Sequence, residues 1–172
     1  MDQKTQFPDS MFLVDVDGHP DGQRHKTLSF SRTPSVLLTF AANRFTRSSA
    51  RVYMKDYGIG AMDWRMLVML VREPGCSAAR ASAAIGIDKG AISRSLARLE
   101  AKNLVEYESL ESDERRKKWF LSKKGMALHD EILEVALARL RVMLDGFSEQ
   151  DIQDFNRLLQ LFMDNMAKES LS

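Results

Sequence analysis

The sequence predicts a mainly α-helical fold with one small β-hairpin. Three observations carry this prediction. Apolar residues recur at helical spacing through most of the chain beyond residue 33. Two short β-rich runs, Leu104–Glu108 and Lys118–Leu121, flank a charged loop. Cap residues, turn glycines and a Pro-Gly pair punctuate the helical stretches.

Residues 1–33 hold Pro8, Gly18, Pro20 and Gly22 among many Asp and Ser, and are expected to form an extension or arm. Its apolar run Met11, Phe12, Leu13, Val14 and Val16 is expected to dock on the body. Pro34, suited to a first helical turn, opens a helix of about 20 residues ending near Tyr57-Gly58. Val36, Leu37, Phe40, Ala41, Phe45 and Val52 give it an apolar stripe, and Arg44, Arg47 and Arg51 share another face. A second helix follows Gly60 and stops at Pro74-Gly75.

Ser77 is placed to cap a third helix that Gly86 ends, and Asp88 to cap a fourth that runs to about Lys102. The two strands follow. A long helix then spans about Lys123 to Gly146. Ser148, with Asp151 at the capping-box position, starts the last helix, where Ile152, Phe155, Leu159, Phe162, Met163 and Met166 form a full apolar stripe. A small winged core cannot cover that stripe, so a second chain is the expected partner.

In the fourth helix Ile92, Leu96 and Leu99 face inward. Lys89, Gly90, Ser93, Arg94, Ala97 and Arg98 face outward. Arg can bond the two acceptors of guanine, Lys and Ser reach phosphates or base edges, and Gly and Ala permit close approach. In the charged loop, Arg115, Arg116 and Lys117 are candidates for a minor groove, with Asp113 bracing the guanidinium groups. Either piece alone reads equally well as a solvated face or a charged turn. Helix, turn, basic helix and hairpin in this order make a winged helix-turn-helix, a reader of duplex DNA.

The net charge of +1 hides an asymmetry. From Arg80 to Lys124 eleven Lys/Arg stand against seven Asp/Glu, and from Gly125 to Ser172 four stand against nine. The basic excess coincides with the motif. The single cysteine, Cys76, forbids an internal disulfide and fits a reducing compartment. No apolar run has the length of a membrane span, and the first residues lack a signal-peptide pattern, so a cytoplasmic location is expected. Three histidines without metal-ligand spacing, and no Gly-rich phosphate loop, argue against an enzyme, a metal site or a cofactor.

The residues also resemble a known family, the MarR family of bacterial winged-helix transcription regulators. The resemblance covers about Pro34 to Ala167. It rests on Met62-Asp63-Trp64-Arg65-Met66-Leu67, Ile85 to Arg94 across the turn, and Leu99 to Val105. Asp113-Glu114-Arg115 in the wing and Leu121-Ser122-Lys123-Lys124-Gly125 after it complete the pattern. It implies residues 59–122 as the DNA-binding lobe, with 34–58 and 123–170 as a helical dimerisation region. It further implies a homodimer on a pseudo-palindromic operator, acting as a repressor released by a small aromatic or phenolic acid. By analogy the ligand site draws on Phe40, Asn43, Arg44, Arg47, Trp64, Arg65 and His129. Plain core packing of the aromatics and ion pairing of the arginines is the competing reading.

Three departures stand out. Ala81-Ser82 replaces a usual Leu-Ala and is expected to thin the packing under the recognition helix. Arg80 replaces a common acidic residue, with a phosphate contact as the expected gain. The N-terminal extension is longer than usual. Cys76 lies outside the first helix, where the family's peroxide sensors carry theirs, and reads as a partly buried residue. A winged helix can also serve as a protein-binding module without ligand response. Salt dependence of duplex binding separates that alternative from a DNA reader.

Overall fold

The computed structural model describes residues 7–109 and 117–169. Ten regular elements and one short 3-10 turn are described. The chain divides into two compact units at Arg65–Met66.

The first unit begins with the arm, which is a hairpin rather than an irregular tail. After a 3-10 turn at Asp9–Met11, β1 (Leu13–Val16) pairs antiparallel with β2 (His25–Leu28), Leu13 opposite Leu28 and Val16 opposite His25. The hairpin is tied to the helix that follows. Ser29 N–H donates to the Phe12 carbonyl at 2.6 Å, the Thr33 hydroxyl donates to the same oxygen at 3.2 Å, and the Arg32 guanidinium donates to the Leu13 carbonyl. The Phe30 ring stands edge-on to Phe40 with centroids 5.1 Å apart.

Helix α1 (Pro34–Tyr57) has Pro in its first turn and ends at Gly58, whose φ of 66° closes the helix in the left-handed region. Only Ser49 and Tyr53 of α1 are buried. The expected stripe is partly open, because Leu37, Phe40 and Phe45 remain exposed. Asp63 is buried at the start of α2 (Ala61–Arg72) and accepts the Gly60 N–H at 3.0 Å.

The second unit holds the helix-turn-helix. Helix α3 (Ala78–Ile85) is capped by Ser77, whose Oγ accepts the Arg80 N–H, and closes at Gly86 with φ 72°. Helix α4 (Lys89–Ala101) is capped by Asp88, whose Oδ1 accepts the Ala91 N–H at 2.8 Å. Asn103, at φ 56°, turns the chain into β3 (Val105–Glu108), which pairs antiparallel with β4 (Lys118–Leu121). The turn before α3 extends this sheet: Gly75 N–H donates to the Trp119 carbonyl at 2.8 Å, and Trp119 N–H donates to the Cys76 carbonyl at 3.2 Å. The core contains Met66, Leu67 and Leu70, Ala81, Ile92, Leu96 and Leu99, with Leu104, Val105, Trp119 and Ile132.

Helix α5 (Lys123–Met143) starts at Ser122, whose Oγ accepts the Gly125 N–H at 3.0 Å. Helix α6 (Glu149–Glu169) opens with the expected capping box: Asp151 N–H donates to Ser148 Oγ, and Ser148 N–H donates back to the Asp151 carboxylate. No residue of α6 is buried. Ile152, Leu159 and Phe162 are half-buried, while Phe155, Met163 and Met166 are exposed, so part of the apolar stripe is open in the single chain. Among the described residues no helix is long and apolar enough to cross a membrane.

Candidate nucleic-acid interface

The two faces of α4 separate cleanly. Ile92, Leu96 and Leu99 are buried at i, i+4 and i+7, as their spacing predicts. Ser95 is buried beside them, a residue whose polarity hid it from the sequence reading. Lys89, Gly90, Ser93, Arg94, Ala97 and Arg98 are all exposed. A Cβ added to Gly90 would stand 3.1 Å from Asp88 Oδ1 and 3.2 Å from Arg94 Nη1. Gly90 therefore lets the Arg94 guanidinium lie against the first turn of the helix. The free N–H groups and partial positive charge of that end add to its attraction for phosphate.

Local bonds hold α4 to α3. The Ser82 hydroxyl donates to the Ile87 carbonyl at 2.6 Å and so spans the turn. The departure at Ser82 is thus a brace across the turn. Ala81 remains fully buried. Replacing Asp88 by alanine leaves the Ala91 N–H without its acceptor, and a loss of about 1 kcal/mol is expected in equilibrium unfolding. An unchanged midpoint would show that the cap contributes nothing.

Arg80, the expected phosphate contact, is paired within the chain. Its Nε and Nη2 form a fork on Glu73 at 2.8 and 2.6 Å. That pairing lowers the Glu73 carboxyl below the usual range and raises the Arg80 guanidinium. Cys76 is buried. Desolvation, with the charge of Glu73 second, pushes its thiol up.

In the wing, Lys117 Nζ lies 3.9 Å from the centroid of the Tyr107 ring. Asp113, Arg115 and Arg116 lie outside the described residues. A groove of about 340 Å³ runs between α4 and the wing, lined in part by Lys89, Ser93, Ala97, Lys117 and Trp119.

The candidate ligand residues are distributed over both units. In the first, Asn43, Arg44 and Arg47 are exposed on α1. Phe40 packs on Phe30, the half-buried Trp64 lies 5.8 Å from Tyr53, and Arg65 donates to the Thr46 hydroxyl at 3.3 Å. Those three partners were not singled out by the sequence. In the second unit, His129 is buried on α5 with Nδ1 2.9 Å from Asp130 Oδ1. Among the described residues no group of three or more His, Cys, Asp or Glu is placed to hold a metal.

The model of the MarR family matches residues 57–116, from the end of α1 into the wing. Among solved structures, the chain is similar to a MarR/EmrR family transcriptional regulator from Acinetobacter sp. ADP1. The two are 26% identical, the match covers 82% of this chain and 99% of that one, and the TM-score is 0.76. A MarR-family transcriptional regulator from Silicibacter pomeroyi is 22% identical over 80% of this chain and 92% of its own, with a TM-score of 0.69. The MepR protein of S. aureus, solved as a complex with DNA, is 16% identical over 80% and 99%, with a TM-score of 0.68. The last two show the shared fold. No curated protein matches the chain by sequence. The family match across the helix-turn-helix, carried on a fold shared along most of the chain, makes this protein similar to the MarR family of DNA-binding transcription regulators.

Proposed function

We propose that this protein is a homodimeric, sequence-specific repressor released from its operator by a small aromatic or phenolic acid. One observation carries the DNA-reading half: α4 sets Lys89, Ser93, Arg94 and Arg98 on one exposed face while its opposite face is fully buried. Such a helix presents its donors to a major groove without losing its seat in the core. Asp113, Arg115 and Arg116 belong to the proposed wing contact by sequence alone. The single buried cysteine and the DNA partner favour the cytoplasm.

Replacing Arg94 by alanine is expected to cost about 1–3 kcal/mol of operator binding and to relax base preference at one position of each half-site. Competition between operator variants reads both effects. Equal weakening on every sequence would reduce Arg94 to a phosphate contact.

The exposed apolar side chains of α6, among them Phe155, Leu158 and Met163, support the dimer. Two lobes related by a two-fold axis read half-sites about 34–36 Å apart, so a pseudo-palindrome follows from the symmetry. The exposed arginines Arg44 and Arg47, near the aromatic Phe40 on the same helix, favour a carboxylate-bearing effector. A thermal-shift series with aromatic acids tests this, since a ligand bound to the native state raises its stability. A series with no shift would remove the effector from the proposal.

A further inference from the structure

The N-terminal hairpin precedes Pro34, where the resemblance to the MarR family begins, so its role is additional to that of the shared fold. A two-stranded hairpin is marginally stable in water and needs a surface to pack on. Within the single chain this one finds little cover. All four residues of β2 are exposed, and so are Val14 and Val16 of β1. Yet the hairpin is not loose. The bonds from Ser29, Arg32 and Thr33 fix it to the start of α1, and Phe30 stands edge-on to Phe40. Phe30 nevertheless stays 67% exposed. Leu37 and Phe40, one turn apart and both exposed, carry this apolar surface onto α1. Beyond Phe40 the same stripe becomes basic, with exposed Arg44, Arg47, Arg51 and Lys55.

Helix α6 shows the reverse order. Its first two turns hold Glu149, Asp151 and Asp154, ahead of its first basic residue, Arg157, which bonds to Asp154 at 3.1 Å. The exposed apolar side chains Phe155, Leu158, Leu161, Met163 and Met166 follow. Over their full lengths α1 has four Lys/Arg against one Asp, and α6 has five Asp/Glu against two Lys/Arg. Set antiparallel, the apolar start of α1 meets the apolar end of α6, and the basic end of α1 meets the acidic start of α6. Two copies of α1 would instead set basic against basic or basic against apolar. Both faces are open in the single chain, so the complement comes from a second copy, and two-fold symmetry forms the pair twice.

We propose that the N-terminal hairpin is a dimer clamp: with Phe30 it lengthens the apolar end of α1 and receives the C-terminal half of α6 from a second copy. The inference rests on the homodimer reading and assigns the hairpin a partner within it.

The test uses the full chain with a photoreactive phenylalanine analogue at position 30, mixing isotopically labelled and unlabelled copies. Irradiation is expected to join position 30 of one copy to the 155–166 segment of the other. Sedimentation of F30D and F30L gives a second readout. F30D is expected to raise the dimer dissociation constant about 100-fold, because symmetry loses the contact twice. F30L keeps an apolar side chain and is expected to stay within about fivefold of wild type. Phe30 is mostly exposed in the single chain, so neither change removes its core. Cross-links confined to one copy, cross-links to another segment of the partner, or an F30D dimer as tight as wild type would each overturn the clamp. With wild type dimeric, those results leave the homodimer standing. A wild-type chain that sediments as a monomer would instead overturn the homodimer, and the clamp with it.

Discussion

Replacing Gly125 by alanine is expected to destabilise the protein by about 3 kcal/mol or more. A Cβ at this position would stand 1.9 Å from the Leu104 carbonyl oxygen and 2.9 Å from its carbon. Those are backbone atoms, so no side-chain rotation relieves the overlap. The same carbonyl accepts the Ser122 N–H at 3.1 Å, and the Leu104 N–H donates to the Leu99 carbonyl at 2.9 Å. Leu104 thus joins the end of α4 to the start of α5, and moving it breaks bonds on both sides. Denaturant unfolding measures the loss. A G125A midpoint within about 0.5 kcal/mol of wild type would show that the joint relaxes freely.

Replacing Leu158 by aspartate is expected to give a folded monomer whose operator affinity falls roughly 100-fold or more. Leu158 is 52% exposed in the single chain and lies on the open face of α6 with Phe155 and the half-buried Phe162. The substitution therefore removes little packing within the chain. In a dimer it would place a charge in an apolar contact, which costs far more than one apolar side chain contributes. Once the copies separate, each lobe binds alone and the gain from linking two half-sites disappears. Sedimentation reads the state directly. An L158D protein that still sediments as a dimer would move the interface away from this face.

These outcomes also mark how far the residues could be read in advance. The helix-turn-helix was legible because its signals are local. Ser77, Gly86, Asp88 and Ser148 act on groups within four residues, and each cap stands where its residue type predicts. The inward stripe of α4 follows equally from its period. The N-terminal hairpin was not legible as strands. Residues of β2 are all exposed, so no alternation between core and solvent marks them. What ties the hairpin down is a set of bonds from Ser29, Arg32 and Thr33 back to Phe12 and Leu13.

The site divides in the same way. Lys89, Ser93, Arg94 and Arg98 could be assigned to one face from spacing alone, and they share it. The fork of Arg80 on Glu73 could not be anticipated, because it forms across the turn between α2 and α3. The same holds for Ser82, whose hydroxyl reaches past Gly86 to Ile87. A sequence reading assigns such residues by type, and type does not say which neighbour arrives first.

By itself the sequence determined the order of helices and strands, the caps that bound them, the exposed basic face of α4 and the charge asymmetry between the motif and the C-terminal helices. Each depends on residues a few positions apart, where helical and strand periodicity dictate who is neighbour to whom. Only the tertiary structure decided that Gly125 must lack a side chain beside Leu104, that Cys76 pairs with Trp119 and that Lys117 rests on Tyr107. Those contacts join residues ten to more than forty positions apart. Their energies come from close packing and ring geometry, which exist only once the chain has folded.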